Sequence, residues 1–165
     1  MQDLIISTVS QGLLWAIMAL GVFLTFRVLD IADLSVEGTF PLGAAVAATL
    51  IDAGHSVWLA MLMAIIAGAI GGTVTALLTT KLKIPALLAG ILTMIGLYSV
   101  NLMVMGKANV PLLRADTVFT MTMDAFGVSQ TVATLIVGIV ATAAVGFVMY
   151  WFFGTVLGTA IRATG

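Results

Sequence analysis

The chain has 165 residues, of which 62% are hydrophobic and only 8% carry a charge. An average soluble domain is roughly 45–50% apolar and about 25% charged, so this composition excludes an ordinary water-soluble fold. The net charge of −1, with no basic cluster, excludes the nucleic-acid-binding class. Cysteine is absent and His55 is the single histidine, which excludes disulfides, thiolate metal sites and histidine metal clusters.

Four long apolar runs predict full-length membrane spans. Residues 4–26 form 23 uncharged, mainly apolar residues, and a helix of about 20 residues crosses the roughly 30 Å hydrocarbon core. The N-terminus lacks the positive region of a signal peptide, so this run is expected to stay as the first span. Residues 57–80, 84–106 and 130–153 are also uncharged and exceed 20 residues each.

A second crossing is expected between residues 27 and 51, and it is interrupted. The apolar run at 40–51 has twelve residues, which reach only about 18 Å as a helix. If it crosses, the charged residues before it share the membrane depth, and Gly38 and Pro41 are expected to mark the break. The predicted fold is an all-α polytopic bundle of about five transmembrane helices with a broken second span. Residues 1–165 would form a single transmembrane domain.

The charged segment before this short run supplies the candidate substrate pathway. An ionisable group at membrane depth costs at least about 2.5–3.5 kcal/mol, so such residues usually face a water-filled cavity or a partner. We expect Asp33, Ser35, Glu37 and Thr39 to line such a cavity, with Arg27 as the nearest counter-charge for the aspartates. The alternative is that this segment is a fully hydrated cytoplasmic loop.

Two polar residues inside the fourth span are further candidates. Asn101 and Tyr98 are expected to be buried there, where such side chains usually form interhelical hydrogen bonds. A substrate contact is the alternative, and Asn101 is retained as a candidate pathway residue.

Small residues recur every four positions in two spans, which predicts close helix packing, with the lining of a pathway as the alternative. The third span carries Ala64, Gly68, Gly72 and Ala76, and the fifth carries Gly138, Thr142 and Gly146.

The distribution of Lys and Arg predicts an outside N-terminus in a multi-pass cell membrane protein. Cytoplasmic loops are enriched in these residues. With this orientation Arg27, Lys81, Lys83 and Arg162 lie inside, against Lys107 and Arg114 outside. The loop at 107–129 is then external, either as a docking surface for a partner or as a plain connector.

The sequence contains no nucleophile elbow, no phosphate-binding loop and no metal-ligand spacing. An enzyme is therefore not expected, and the chain should bind no cofactor of its own. Any nucleotide hydrolysis that drives transport would come from another subunit.

The segment at 26–44 resembles a known motif, with the sequence FRVLDIADLSVEGTFPLGA. It is similar to the pattern F-R-x-L-x-x-A-D-L-(S/T)-V-(D/E)-G-(S/T)-F-x-L-G of ABC importer permeases related to the branched-chain amino-acid permeases. Residues 12–21 also resemble the first span of that family, and residues 157–165 resemble the start of its cytoplasmic coupling segment.

The resemblance implies a homodimeric permease core, two ATPase subunits that bind ATP and Mg²⁺ on the cytoplasmic side, and an external substrate-binding protein. It further implies amino acids, including aromatic ones, as cargo. The contact with the ATPase would begin at Leu157, Gly158, Arg162 and Gly165. Family members continue about as far again beyond this position, so the chain is expected to be the N-terminal part of a longer permease.

Two other functions stay open at this point. One is a fragment of an ion-coupled secondary transporter or channel, in which the carboxylates bind the coupling ion at a discontinuous helix. The other is a structural membrane subunit whose charged segment is a cytoplasmic loop.

Overall fold

A computed structural model describes residues 2–112 and 115–164, with the backbone alone at residues 2, 3 and 164. Within those ranges the chain is helical and has no strand. A five-residue π-helix, Leu24–Val28, extends the first α-helix. The α-helices of the described chain are α1 Gln2–Phe23, α2 Val36–Asp52, α3 Val57–Thr80, α4 Ala86–Met105, α5 Val118–Phe126, α6 Gln130–Gly154 and α7 Val156–Thr164.

The helices form two compact units. The central unit, Ile31–Thr117, contains α2, α3 and α4. The terminal unit combines Met1–Asp30 with Val118–Gly165, and so contains α1, α5, α6 and α7. Whether both units act as one transmembrane domain stays a prediction.

Four helical stretches are long and apolar enough to cross a membrane. They are Leu4–Val28, Val57–Thr80, Ala86–Met105 and Gln130–Gly154. They coincide with the four predicted full-length spans, and the predicted all-α membrane bundle is confirmed. The first span continues through the π-helix, two residues beyond its predicted end.

The three helices of the central unit alternate in direction. A Cβ on Gly71 of α3 would lie 2.7 Å from Thr39 Cγ2 of α2 and 3.4 Å from Leu97 Cδ1 of α4. Thr39 lies near the start of α2. Near the end of α2, Thr49 donates a 3.4 Å hydrogen bond to the Val104 carbonyl of α4. Since Thr39 approaches Leu97 and Thr49 approaches Val104, α2 and α4 run parallel. Helix α3 runs antiparallel to both.

Helix α2 and the turn before it extend along most of α4. The turn lies against Gly90 near the start of α4, and Asp52 at the end of α2 forms a 2.8 Å ion pair with Lys107 just beyond α4. The interval from Gly90 to Lys107 corresponds to about 25 Å of helix. The 17-residue α2 together with its turn therefore has nearly the reach of a full span.

The terminal unit provides independent support for a crossing by α2. The Thr142 hydroxyl of α6 donates a 3.1 Å hydrogen bond to the Leu13 carbonyl of α1. A Cβ on Gly138 would lie 3.6 Å from the Ser10 carbonyl, so both helices advance in the same direction. If the four candidate spans all cross the membrane, parallel spans α1 and α6 require an odd number of crossings between them. Helices α3 and α4 would supply two, so this topology requires a third crossing, for which α2 is the candidate.

The predicted position of the helix break was wrong. Gly38 and Pro41 both lie inside α2, which begins at Val36 rather than at residue 40. Pro41 lies in the second turn of α2, where it removes the hydrogen bond that its nitrogen would donate to the Glu37 carbonyl and where its ring crowds that carbonyl. The break lies earlier, at residues 29–35, between the π-helix and α2.

The small-residue stripe predicted on α3 packs at Ala64, where a Cβ on Gly43 of α2 would lie 3.5 Å from the Ala64 carbonyl, but not at its other members. Nothing lies within 4 Å of a Cβ built on Gly68 or Gly72, and Ala76 is exposed. The buried residues of α3 are Val57, Ala60, Gly71 and Thr75. On α6 the predicted stripe packs at Gly138 and Thr142 but not at Gly146, where a Cβ would meet nothing within 4 Å.

Two adjacent glycines of α3 provide a matched test of this packing. Gly71→Ala places a methyl group against Thr39 of α2, and it should lower the free energy of unfolding by about 1–3 kcal/mol through overpacking. Gly72→Ala adds the same methyl group to open space, and it should raise the free energy of unfolding by up to about 1 kcal/mol, because alanine has the higher helix propensity. Thermal unfolding in detergent measures both variants. Equal effects of the two substitutions would contradict the packing register.

Candidate functional site

Hydrogen bonds within the chain start α2 and define a turn before it. The Ser35 N–H donates a 2.8 Å hydrogen bond to Asp33 Oδ1, the Asx-turn arrangement in which an aspartate satisfies a backbone donor two residues on. The Gly38 and Thr39 N–H groups both donate to the Ser35 carbonyl at 2.9 Å, which begins the helix. Asp30 has a φ of 50°, a left-handed conformation that Asp tolerates better than most residues.

Gly90 of α4 allows this turn to lie directly on the helix. A Cβ at Gly90 would come within 2.7 Å of the Leu34 nitrogen, 3.1 Å of Asp33 Oδ1 and 3.3 Å of the Ser35 nitrogen. Gly90 lies four residues after Ala86, the first residue of α4, which corresponds to about 6 Å along the helix. Asp33 is therefore level with the second turn of a candidate span.

Glu37 lies deeper along the same span. Its neighbour Gly38 packs on α4 so closely that a Cβ would fall 2.9 Å from Met94 Cα. Met94 lies eight residues into α4, about 12 Å from its start. Glu37 is thus level with the middle region of a 20-residue candidate span.

The Glu37 side chain is exposed. Within the described part of the chain it forms no ion pair or side-chain hydrogen bond. It begins a stripe of exposed residues at helical spacing that we call the open face of α2. This face consists of Glu37, Phe40, Pro41 and Ala44.

The other predicted pathway residues of α2 face inward. Ser35 is 3% exposed. The Thr39 methyl group packs toward Gly71 of α3, and its hydroxyl donates to the Val36 carbonyl at 3.4 Å. The structure thus brings Asp33, Ser35, Glu37 and Thr39 together around the start of α2, and separates a packed side of this helix from the open face.

Asn101 lies apart from this cluster. It is eleven residues beyond Gly90 on α4, or about 16 Å along the helix. The residue is 7% exposed, and its Oδ1 atom is buried without a hydrogen-bond partner. The expected interhelical hydrogen bond at this oxygen is therefore not formed. Tyr98, expected to be buried, is 68% exposed.

The counter-charges also differ from expectation. Arg27 and Asp30 are both exposed and form no ion pair with each other in the described chain. The ion pair of the central unit is Lys107–Asp52, at the far ends of α2 and α4. These two residues are 55 positions apart, so their pairing depends on the parallel packing of the helices.

Helix α7 is attached to α6 by a tight elbow. The Thr155 hydroxyl donates to the Phe152 carbonyl at 2.6 Å and accepts the Gly158 N–H at 3.3 Å. A Cβ on Gly158 would overlap the Phe152 carbonyl, so the elbow requires glycine at this position.

Arg162 reinforces the elbow from the other end of α7. It donates to the Phe153 carbonyl at 2.6 Å, and its guanidinium lies 5.6 Å from the centre of the Phe153 ring. Of the predicted coupling residues, Leu157 is 69% exposed, and Gly165 lies outside the described residues.

Several important contacts were missed by the sequence reasoning. Gly90 carried a signal, since a glycine in a helical run often marks a close backbone approach, but its partner was not predictable. The buried Thr75–Thr93 hydrogen bond of 2.9 Å between α3 and α4 requires knowledge of which helix faces meet. In the described residues, no group of three or more His, Asp and Glu residues is placed to hold a metal ion.

Comparison with known proteins supports a transport function. Residues 4–165 match the family model described as branched-chain amino acid transport system / permease component. The chain is 46% identical over 115 residues to the tyrosine transport system permease protein of Clostridioides difficile (strain R20291), which covers 70% of this chain and 39% of that protein.

It is also 38% identical over 118 residues to the uncharacterized protein RP368 of Rickettsia prowazekii (strain Madrid E), covering 72% of this chain and 41% of that protein. The chain thus spans less than half the length of the curated relatives it matches. No solved structure matches it significantly. Because the family match extends over nearly every residue, the chain belongs to the family of permease components of branched-chain amino acid transport systems.

Proposed function

We propose that this chain forms part of the permease subunit of an ABC importer in the cell membrane. In this proposal it moves an amino acid, or a similar small polar solute, inward by alternating access. Separate subunits bind and hydrolyse ATP. Family membership supports the permease role, and the tyrosine permease among the relatives supports amino acids, including aromatic ones, as cargo.

The observation that carries the proposal is the exposure of Glu37 at membrane depth. A carboxylate beside the middle of α4 cannot face lipid without a cost of at least about 2.5–3.5 kcal/mol. The open face of α2 must therefore be covered by water or by protein in the membrane. A hydrated translocation pathway satisfies this requirement and also explains why Ser35 and Gly38 on the opposite side are closely packed.

The remaining site residues receive roles that fit their positions. Asp33, Ser35 and Thr39 hold the start of α2 against α3 and α4, and thereby set the direction in which Glu37 points. Asn101 has an unsatisfied oxygen farther along α4, and in this proposal the atom accepts a hydrogen bond from solute or water.

The direction of the helices determines where partners would bind. With the N-terminus outside, Arg27, Lys81, Lys83 and Arg162 all lie on the cytoplasmic side, as the positive-inside rule favours. The exposed Leu157 on α7 would then contact the ATPase, and Gly158 and Arg162 would fix the helix that carries it. An external binding protein would dock on the loop at 107–129, and a second copy of the permease would complete the core.

An ion-coupled transporter is the second candidate function. The unpaired Glu37 carboxylate is compatible with it, but the family match supports the ABC importer more strongly. A carboxylate next to a break between helices is the kind of ligand that binds a coupling cation. A neighbouring reading frame that encodes an ATPase with a phosphate-binding loop would favour the ABC importer. Its absence, together with uptake that follows an ion gradient, would favour the alternative.

Removal of the Glu37 charge tests the pathway. We expect Glu37→Gln and Glu37→Ala to reduce solute uptake by the assembled transporter about tenfold or more, which corresponds to an increase of at least about 1.4 kcal/mol in the transport barrier. Membrane insertion should be unchanged. The matched control is Asp30→Asn, which removes an exposed carboxylate seven residues earlier and keeps a residue that tolerates positive φ. If both Glu37 variants show uptake at the wild-type level, the pathway hypothesis is contradicted. The segment is then better interpreted as a hydrated loop.

A second test concerns the ATPase contact. Leu157→Glu places a charge on the exposed side of α7, and it should lower co-purification of the ATPase subunit about tenfold, as for a central apolar interface residue. Leu82→Glu, at an exposed leucine of the α3–α4 connection, is the control on the same predicted side. If both variants lose the ATPase equally, or if neither does, α7 is not the specific contact.

A further inference from the structure

Two adjoining cavities lie in the terminal unit, where α1 and α6 end. The larger has a volume of about 790 Å³ and is lined by residues of α1, the π-helix, α6 and α7, including Phe23, Tyr150, Trp151 and Arg162. The smaller has a volume of about 270 Å³. The two cavities share Met149 and Phe153 in their walls, so they form two compartments on either side of the same residues.

The compartments differ in chemistry. Arg162 is the charged residue among the described residues that line the larger cavity. It uses one N–H to bind the Phe153 carbonyl, and a guanidinium has five N–H donors, so others are free to bind a ligand. The smaller cavity exposes no polar surface and is lined by aliphatic side chains, Met149 and two phenylalanines.

The aromatic residues place this site at the edge of the hydrocarbon core. Tyr150 and Trp151 are 83% and 67% exposed, and both lie within four residues of Gly154, the end of a candidate span. Exposed Tyr and Trp are typical of the membrane–water interface. Arg162 lies beyond the end of that span, at the level expected for lipid headgroups.

We propose that the paired cavities bind one anionic phospholipid of the surrounding membrane. Its phosphate group accepts hydrogen bonds from Arg162, and an acyl chain occupies the apolar compartment between the π-helix and α6. The absence of acidic side chains among the described lining residues and the lone cation match an anionic headgroup. A free phosphate would satisfy Arg162 but would leave the apolar compartment without an occupant. This site is separate from the open face of α2, and it does not depend on the transported solute.

Trp151 provides a direct probe, because it lines the larger cavity. The protein has three tryptophans, so Trp15→Phe combined with Trp58→Phe leaves Trp151 as the single tryptophan, and its emission is excited selectively over that of the two tyrosines. The purified protein is reconstituted in phosphatidylcholine vesicles that contain brominated phosphatidylglycerol or, separately, brominated phosphatidylcholine at equal mole fraction. The anionic lipid should be enriched at Trp151 by about fivefold, as expected for one cationic side chain near the surface, and should quench its fluorescence correspondingly more.

Charge-removing variants determine whether Arg162 is responsible. Arg162→Gln should abolish the preference for brominated phosphatidylglycerol, whereas Lys81→Gln, which removes an exposed cation of the central unit, should leave it unchanged. Equal quenching by both lipids in the parent protein, or a preference that survives Arg162→Gln, would overturn the proposal. Loss of the preference on addition of inorganic phosphate would instead identify a site for a free anion. Absence of quenching by either lipid would show that protein covers the cavities.

Discussion

The close contact between the start of α2 and its two neighbouring helices is the constraint on which the central unit depends. Backbone polar groups that are not in a helix are tolerated at membrane depth only when protein or water satisfies them. Asp33 accepts the Ser35 N–H, and Gly90 lets the same turn lie directly against α4. Gly38 and Gly71 extend this close approach along α2. A larger side chain at any of these glycines would push the turn away from the protein that shields it.

This packing divides α2 into two sides with different physical roles. Ser35, Gly38, Leu42 and Ala45 are buried on one side, where small residues allow dispersion contacts between helices in the absence of a hydrophobic driving force. The other side carries the Glu37 carboxylate in the exposed stripe. A packed side fixes the position of the charge, and contact of that charge with lipid would cost at least about 2.5–3.5 kcal/mol. The two sides therefore depend on each other.

Apolar run length was sufficient to predict the four long candidate spans, because bilayer thickness sets those lengths directly. The helix start at Val36 was missed because it depends on the hydrogen bond from the Ser35 N–H to Asp33. Gly38 and Pro41, which were expected to interrupt the helix, both lie inside it. The register of α3 was missed because small residues at a spacing of four show that a face can pack, without showing which face does. Tyr98 and Asn101 are three positions apart, yet one is exposed and the other buried, and only the direction of the neighbouring helices decides this.

In the terminal unit, hydrogen bonds and a close backbone contact join α7, which carries the proposed ATPase contact, to the end of the span α6. Arg162 and Thr155 both bond to carbonyls at the end of α6, and Gly158 removes the side chain that would separate the two helices. Helix α7 therefore moves with the end of α6 rather than about a flexible joint. Farther along α6, Thr142 and Gly138 contact α1. If Leu157 contacts the ATPase, as proposed, displacement of that subunit is transmitted through α6 to α1 without passing through a loop.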